Sequence, residues 1–266
     1  MSAPVLVFDS GVGGLTVLGE VQKLLPDVST VFVADTAMFP YGKLASDVLL
    51  ARVERVIDTM IARFDPAVVV IACNTASTLV LPGLRAKYSI SFVGTVPAIK
   101  PAAAITRSGM ISVLATPGTV KRDYTADLIR QFAASCEVTL VGSANLASLA
   151  EAHLRGQAVK DDDIRREIAP CFIERGGKRT DTIVLACTHY PLLLGAFERL
   201  APWPVNWTDS ASAIARRVKE VLPQGTAQSS SPRHHAVLTS DGRVRATLEP
   251  ALGRYNIGTI ETIAVD

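Results

Sequence analysis

Short apolar runs alternate with longer amphipathic stretches along most of this chain, and the alternation starts over near its middle. In the first half the runs are PVLVF (4–8), TVFVAD (30–35), AVVVIA (67–72) and ISFVGT (90–95). In the second they are MISVLAT (110–116), EVTLVGS (137–143) and DTIVLA (181–186), and HAVLTSD (235–241) follows a Ser- and Pro-rich segment over 222–235 that reads as an exposed loop. Between them lie helical patterns, clearest over 45–64, where apolar residues recur every three or four positions. Others are expected over 76–88, from about 119, and around 145–154 and 161–175. Strands that are apolar on both faces must be covered on both sides, as in a parallel sheet flanked by helices. The restart predicts two similar α/β domains, one over 1–96 with 210–266 and one over 97–209.

Nearly half the residues are apolar, enough for one large or two small cores in 266 residues. The 27 Lys and Arg nearly balance 25 Asp and Glu and are interspersed with them, so composition argues for neither nucleic acid nor an acidic membrane surface. No apolar run approaches the roughly 20 residues that span a bilayer. The start, MSAPVLVFDSG, lacks the basic segment and apolar length of a secretory signal, so a cytoplasmic protein is expected. Cys73, Cys136, Cys171 and Cys187 form no CxxC pair, and the four histidines form no HxxxH or CxxH pair. Neither a disulfide framework nor a metal site is expected.

In parallel α/β sheets ligands bind outside the carboxyl ends of the strands. The candidate chemistry therefore follows the apolar runs: DSGVGG (9–14), DTAMFPYG (35–42), CNTAS (73–77), TPGTV (116–120) and CTHYP (187–191). GVGGLT carries Thr16 where a dinucleotide fingerprint has its last glycine, and no P-loop lysine follows. A tight turn opening a helix is the plainer reading, although its N–H groups would suit a carboxylate. A cysteine ending a core strand is more often an inert small hydrophobe than a nucleophile, and Cys136 and Cys171 keep that reading. Cys73 and Cys187 differ because each lies just past a strand and before a helix, where a thiol of ordinary pKa ~8.5 shifts toward thiolate. Asn74 and Thr75 are expected to cap the helix after Cys73, and Pro191 suits the first turn after Cys187. His189 is either a surface or capping histidine or a proton partner for Cys187. Asp9 is either a turn-forming carboxylate or a proton carrier facing Cys73.

Two thiols in like settings are redundant for a cysteine hydrolase, which needs one nucleophile and one base. They suit inversion of a carbon centre, in which one thiolate takes the α-proton from one face and the other thiol donates to the opposite face.

The motifs FDSGVGGLTVL, ADTAMFPYG, VIACNTAS, VPAIKPA, LATPGTVKRDYT and LACTHYPLL occur in order from residue 8 to about 194. In them the chain resembles the cofactor-independent glutamate racemases of the aspartate/glutamate racemase superfamily, and CTHYPLL favours the glutamate branch. The resemblance implies a substrate-sized cleft between the two domains and no cofactor. It makes Cys73 and Cys187 the acid/base pair, Cys73 acting on D-glutamate and Cys187 on L-glutamate. Asp9 and His189 assist, with Glu151 as the glutamate expected ahead of the second cysteine. The stretch SANLASLAE lacks the Cys-Pro usual before that glutamate. Substrate contacts carried over are Asp9, Ser10, Tyr41, Gly42, Asn74, Thr75, Thr119, Thr188 and His189. The resemblance further implies a homodimer and a supply of D-glutamate for peptidoglycan. Some family members answer to a cell-wall nucleotide precursor through N-terminal elements; with eight residues before Asp9, no such extension is expected. Rival readings are an aspartate racemase or related isomerase, a non-catalytic two-lobed amino-acid-binding protein, and an acyl-transfer enzyme using Cys187 and His189 alone.

Overall fold

A computed structural model describes residues 3–226, 229–240 and 242–265. Met1 and Ser2 of the expected start, Ala227 and Gln228 of the expected loop, Asp241 at the end of the strand expected over 235–241, and Asp266 lie outside the described residues. In chain order the elements are β1 (Val5–Asp9), α1 (Leu15–Leu24), β2 (Thr30–Ala34), α2 (Ser46–Phe64), β3 (Val68–Ile71), α3 (Asn74–Lys87) and β4 (Ser91–Gly94). Next come α4 (Ile99–Ile105), β5 (Met110–Ala115), α5 (Pro117–Val120), α6 (Asp123–Phe132), β6 (Glu137–Gly142), α7 (Leu146–Leu154) and α8 (Asp161–Ile168). The hairpin β7 (Glu174–Arg175) and β8 (Lys178–Arg179) precedes β9 (Thr182–Ala186), α9 (Leu194–Leu200) and β10 (Asn206–Thr208). The chain ends with α10 (Ala211–Val221), β11 (His234–Leu238), α11 (Gly242–Gly253) and β12 (Thr259–Thr262). It divides into two compact units, Met1–Thr95 with Ala211–Asp266, and Val96–Ser210.

The first unit is built on a parallel sheet ordered β12-β11-β2-β1-β3-β4. Every residue of β1, β2 and β3 is buried, as two-faced apolar strands require. Alternation then sorts the side chains: Leu6, Phe8, Val31, Val33, Val69 and Ile71 point to one face and join a cluster with Leu49, Val53, Val56, Ile57 and Met60 of α2. Those α2 residues are the apolar stripe visible in the sequence, and fully burying each contributes about 1.5–3 kcal/mol. The helix stops at Asp65, whose φ of 41° turns the chain into the left-handed region.

The second unit has a parallel sheet ordered β10-β9-β5-β6, again with its central strands β5 and β9 wholly buried. Counting strands within each unit from its start, β1 to β4 and β5, β6, β9 and β10 share one order, 2-1-3-4. The first unit extends it with β11 and β12 beyond β2. In both, the connections reverse direction between the first and third strands, and that reversal opens a crevice at the strands' carboxyl ends.

The structure corrects several expectations. The helix expected over 161–175 ends at Ile168, continues as a single 3-10 turn over Ala169–Cys171, and gives way to the β7–β8 hairpin. Pro170 removes an amide donor and disfavours helix at the residue before it. Gly176 and Gly177, at φ 58° and 74°, supply the two positive-φ positions of a tight hairpin turn. The helix expected from about 119 is two helices, α5 and α6, with a break at Lys121–Arg122.

Candidate active site

Cys73 lies two residues past β3 and Asp9 ends the adjacent β1, so both stand at the reversal point of the first sheet. The Asp9 carboxylate is buried and accepts the backbone N–H groups of Ser10 (2.7 Å) and Gly14 (2.6 Å). The glycine turn therefore closes on this carboxylate. A Cβ on Gly14 would stand 2.9 Å from Asp9 Cβ and 3.1 Å from the Phe32 ring. The Cys73 thiol donates toward Ser10 Oγ at 4.0 Å, which brings Asp9, Ser10 and Cys73 together. Cys73 itself occupies the N-cap position of α3, so Asn74 and Thr75 are the helix's first residues rather than its caps. Both are nearly buried, and among the described residues Asn74 Oδ1 has no hydrogen-bond partner. A buried amide oxygen left unpaired is costly and marks a place where an incoming donor would be held.

Tyr41 sits at the start of a 3-10 turn over Tyr41–Lys43, with Gly42 half-buried beside it. The Tyr41 hydroxyl donates to Asp35 Oδ2 at 2.6 Å. Burial, then the Asp35 charge and hydrogen bond and the charge of Cys73, push its phenol well above the ordinary range, against the nearby Arg52 guanidinium. It therefore stays a donor, committed to Asp35. The backbone of Tyr41 and Gly42 is what this turn offers a ligand.

In the second unit β5 ends at Ala115 in register with Ala186 of β9, so Thr116 and Cys187 follow side by side at the equivalent reversal point. Thr116 caps α5, its Oγ1 accepting from Thr119 N–H (3.3 Å) and lying 3.1 Å from the Thr119 hydroxyl. Thr119 is fully buried, and its carbonyl accepts from Thr125 Oγ1 (2.8 Å). Cys187 Sγ lies 3.9 Å from His189 Nδ1, and His189 Nε2 lies 3.0 Å from Glu151 Oε1. The other carboxylate oxygen, Oε2, accepts from Arg155 Nη2 at 2.7 Å. Glu151 and His189 are each 2% exposed, so the Cys–His–Glu part of this line runs through dry protein, where an unpaired charge is expensive, and Arg155, 24% exposed, ends it at the surface. Thr188 is buried next to Cys187. After Cys187 the backbone makes a 3-10 turn over Tyr190–Leu193, with Pro191 in its first turn, and only then the short α9. A full helix N-terminus therefore stands behind Cys73 and not behind Cys187.

The other two cysteines are not part of either group. Burial pushes the Cys171 thiol up to about 12. Sequence reasoning missed Asp35, Arg52, Thr116 and Arg155. Thr116 had a local signal, a Thr before Pro at a helix start. Asp35 stood inside a motif already singled out, and its partner Tyr41 lies in that motif too, but Arg52 and Thr239 lie outside it, Thr239 far along the chain. Among the described residues no cluster of His, Cys, Asp or Glu has the makings of a metal site, and no helix is long and apolar enough to cross a membrane.

A family model described as Asp/Glu/hydantoin racemase matches residues 21–218, a span that includes Cys73 and Cys187. The chain belongs to the Asp/Glu/hydantoin racemase family. It is an amino-acid racemase: a curated glutamate racemase of Brucella ovis is 60% identical over 221 residues, covering 83% of this chain and 80% of that protein. One from Sinorhizobium medicae is 59% identical, over 83% of this chain and 82% of the relative. Among solved structures, the Escherichia coli glutamate racemase in complex with L-glutamate and an activator, UDP-MurNAc-Ala, is 40% identical with a TM-score of 0.92, covering 99% of each chain. A Bacillus anthracis glutamate racemase is 27% identical at a TM-score of 0.84, over 99% of this chain and 97% of that one.

Proposed function

We propose that this chain interconverts L- and D-glutamate through two thiols, Cys73 and Cys187, acting on opposite faces of one α-carbon. The observation that carries this reading is the repetition of the 2-1-3-4 sheet, with a nearly buried cysteine at each reversal point and a different proton-carrying group beside each one. From L-glutamate, the Cys187 thiolate takes the α-proton. The C–H bond breaks as the S–H bond forms, and the Cys73 thiol returns a proton to the other face. The reverse reaction exchanges the roles. His189, backed by Glu151, takes up the proton that Cys187 must shed before it can act as base, and Asp9 serves Cys73 in the same way. The Tyr41 and Gly42 backbone, Ser10, Thr75 and Thr188 hold the carboxylates, and the unpaired Asn74 Oδ1 receives the ammonium group. Every group in this sequence of steps belongs to the chain or the substrate. By family resemblance, we further infer that the reaction takes place in the cytoplasm, that the enzyme is a homodimer and that its D-glutamate feeds peptidoglycan synthesis. Glutamate binding is supported by the L-glutamate found in the E. coli relative.

The test is incubation with L-glutamate in heavy water. Loss of optical rotation together with replacement of the α-hydrogen by deuterium is expected, with far slower turnover of aspartate run in parallel. Cys73→Ser and Cys187→Ser should each abolish racemisation while retaining elimination from one hand of a glutamate analogue with a leaving group on the β-carbon. Retention of optical activity by the wild type, or single mutants that process both hands alike, would sink the reading.

A further inference from the structure

Asp35 follows β2 and is completely buried, a position where an unsupported carboxylate would be unstable. Four donors converge on it. Arg52 of α2 gives Nη2 to Oδ1 (2.7 Å) and Nε to Oδ2 (3.0 Å). Tyr41 gives its hydroxyl to Oδ2 (2.6 Å), and Thr239, just past β11, gives Oγ1 to Oδ1 (2.6 Å). The carboxylate's acceptor sites are thereby filled. The network continues outward: Arg52 Nη1 donates to the Val265 carbonyl, Ala37 N–H donates to Thr239 Oγ1 (3.1 Å), and the Thr36 hydroxyl donates to Ser240 Oγ (2.7 Å). One buried ion pair thus ties the segment over 35–41 to α2, to the end of β11 and to the residues after β12. Removing Asp35's charge partner would leave a buried carboxylate unsupported and release the segment that carries Tyr41.

That segment ends in the 3-10 turn whose first internal bond is Lys43 N–H to the Pro40 carbonyl (3.3 Å). The N–H groups of Tyr41 and Gly42 precede that bond and lie outside the turn's own hydrogen bonding. Tyr41 also packs against Phe8, ring centroids 6.3 Å apart, on the strand that ends in Asp9. We propose that Arg52 is a positioning residue for substrate binding: acting through Asp35, it holds Tyr41 and Gly42 where their two N–H groups receive a substrate carboxylate. Arg52 touches no reacting atom in this scheme. The proposal rests on the glutamate reading only in taking that carboxylate to be the substrate's.

Arg52→Gln, Arg52→Lys and Arg52→Ala are compared with the wild type for KM and kcat in both directions, with thermal melting as a check on folding. Arg52→Gln should raise KM for both enantiomers about tenfold to a hundredfold while kcat falls far less, because the loss is of binding geometry and not of proton transfer. Arg52→Lys should recover part of the KM, and millimolar guanidinium should lower the raised KM of Arg52→Ala. A folded Arg52→Gln with wild-type KM, or with its whole loss in kcat, overturns the proposal, as does a lowered melting temperature with unchanged kinetics. If the Arg52 variants do not fold, Tyr41→Phe and Thr239→Val each remove one donor from Asp35. Each should raise KM several-fold, since each removes one hydrogen bond to the Asp35 carboxylate and leaves the others in place; unchanged KM in both overturns the proposal. Wild-type turnover of glutamate tests the substrate reading separately, and if aspartate proves to be the substrate the same variant ratios are measured on it.

Discussion

Glu151→Gln isolates what the second unit's carboxylate contributes. The substitution keeps the side chain's shape and its ability to hydrogen-bond His189, but removes the charge that supports an imidazolium. In the native site the line from Cys187 Sγ to His189 Nδ1 is 3.9 Å, and from His189 Nε2 to Glu151 Oε1 it is 3.0 Å. Both Glu151 and His189 are 2% exposed, so water screens little of the lost interaction. Positioned proton transfer contributes about 10²–10⁴-fold, and the long sulfur–nitrogen separation places this case near the lower end, about a hundredfold or 2.7 kcal/mol. Arg155 loses its partner as well, but its side chain is 24% exposed and regains water. The stability cost should therefore stay near 1 kcal/mol.

Racemisation alone cannot assign that loss to one face. The equilibrium constant ties kcat/KM for the two directions together, so an effect on one hand appears only as a different split between kcat and KM. Elimination from β-substituted glutamate analogues removes the constraint, because it needs abstraction on one face only. Glu151→Gln should slow elimination from the L analogue about a hundredfold and leave the D analogue within about threefold of wild type. His189→Asn should match it, and Asp9→Asn should show the opposite preference. Equal slowing of both hands, or a greater loss on the D analogue, would refute the assignment of Glu151 to Cys187.

Gly14→Ala places a methyl 2.9 Å from Asp9 Cβ and 3.1 Å from Phe32, so the turn must move and the 2.6 Å bond from Gly14 N–H to Asp9 must lengthen. A loss of about 1–3 kcal/mol by denaturant melting is expected, with elimination from the D analogue slowed more than from the L analogue. Asp181 is held below the ordinary carboxylate range: partial burial works against this, but hydrogen bonds from Thr106, the Ser108 and Arg107 N–H groups and Thr182 outweigh it. A depressed carboxyl stabilises the fold above its ordinary pKa and loses that contribution as pH falls through its folded value. Asp181→Asn should therefore cost about 1 kcal/mol at pH 7, and in urea melts the difference should begin to shrink only as pH falls below about 4, toward the lower folded pKa. Cys171, with its thiol pushed up to about 12 and no exposed surface, should resist iodoacetamide at pH 7.5 until the protein unfolds; alkylation of the native protein there would contradict its burial.

What was legible in the sequence was local. Cys73 and Cys187 could be found because a residue just after an apolar run must sit at a strand's carboxyl end, and the alternation of runs and helices could only be a covered parallel sheet. The order 2-1-3-4 was not legible, since strand pairing is decided by contacts far apart in the chain. Asp35 shows the same limit: its motif was visible, but one of its four donors comes from a residue 204 positions away. The helix expected over 161–175 stops at Ile168 because Pro170 follows, although Phe172 and Ile173 prolong the apolar pattern past that proline; the Gly176–Gly177 turn lies beyond them. Glu151 was carried by resemblance alone. The Glu151–Arg155 spacing of one helical turn is plain in the sequence, but only the fold shows that this face of α7 meets His189.

The repeated sheet makes the two thiols topologically equivalent without making them chemically so. In both units the first and third strands are neighbours, so a residue just past the one stands beside the cysteine following the other: Ser10 beside Cys73, and Thr116 beside Cys187. In the first unit Ser10 follows Asp9, a carboxylate pinned by two backbone N–H groups, and a fourteen-residue helix starts behind Cys73. In the second the residue before Thr116 is the neutral Ala115. The charge comes instead from the His189–Glu151–Arg155 line, behind a 3-10 turn with little dipole of its own. A helix dipole favours an anion at its N-terminus, where Cys73 stands, whereas in the proposed reaction Cys187 has only the His189 side chain to take its proton. Loss of the acceptor should therefore be more damaging at Cys187 than at Cys73: His189→Asn should cost the L face more than Asp9→Asn costs the D face. A larger loss in Asp9→Asn, measured on the two elimination substrates, would show that the helix behind Cys73 does not compensate.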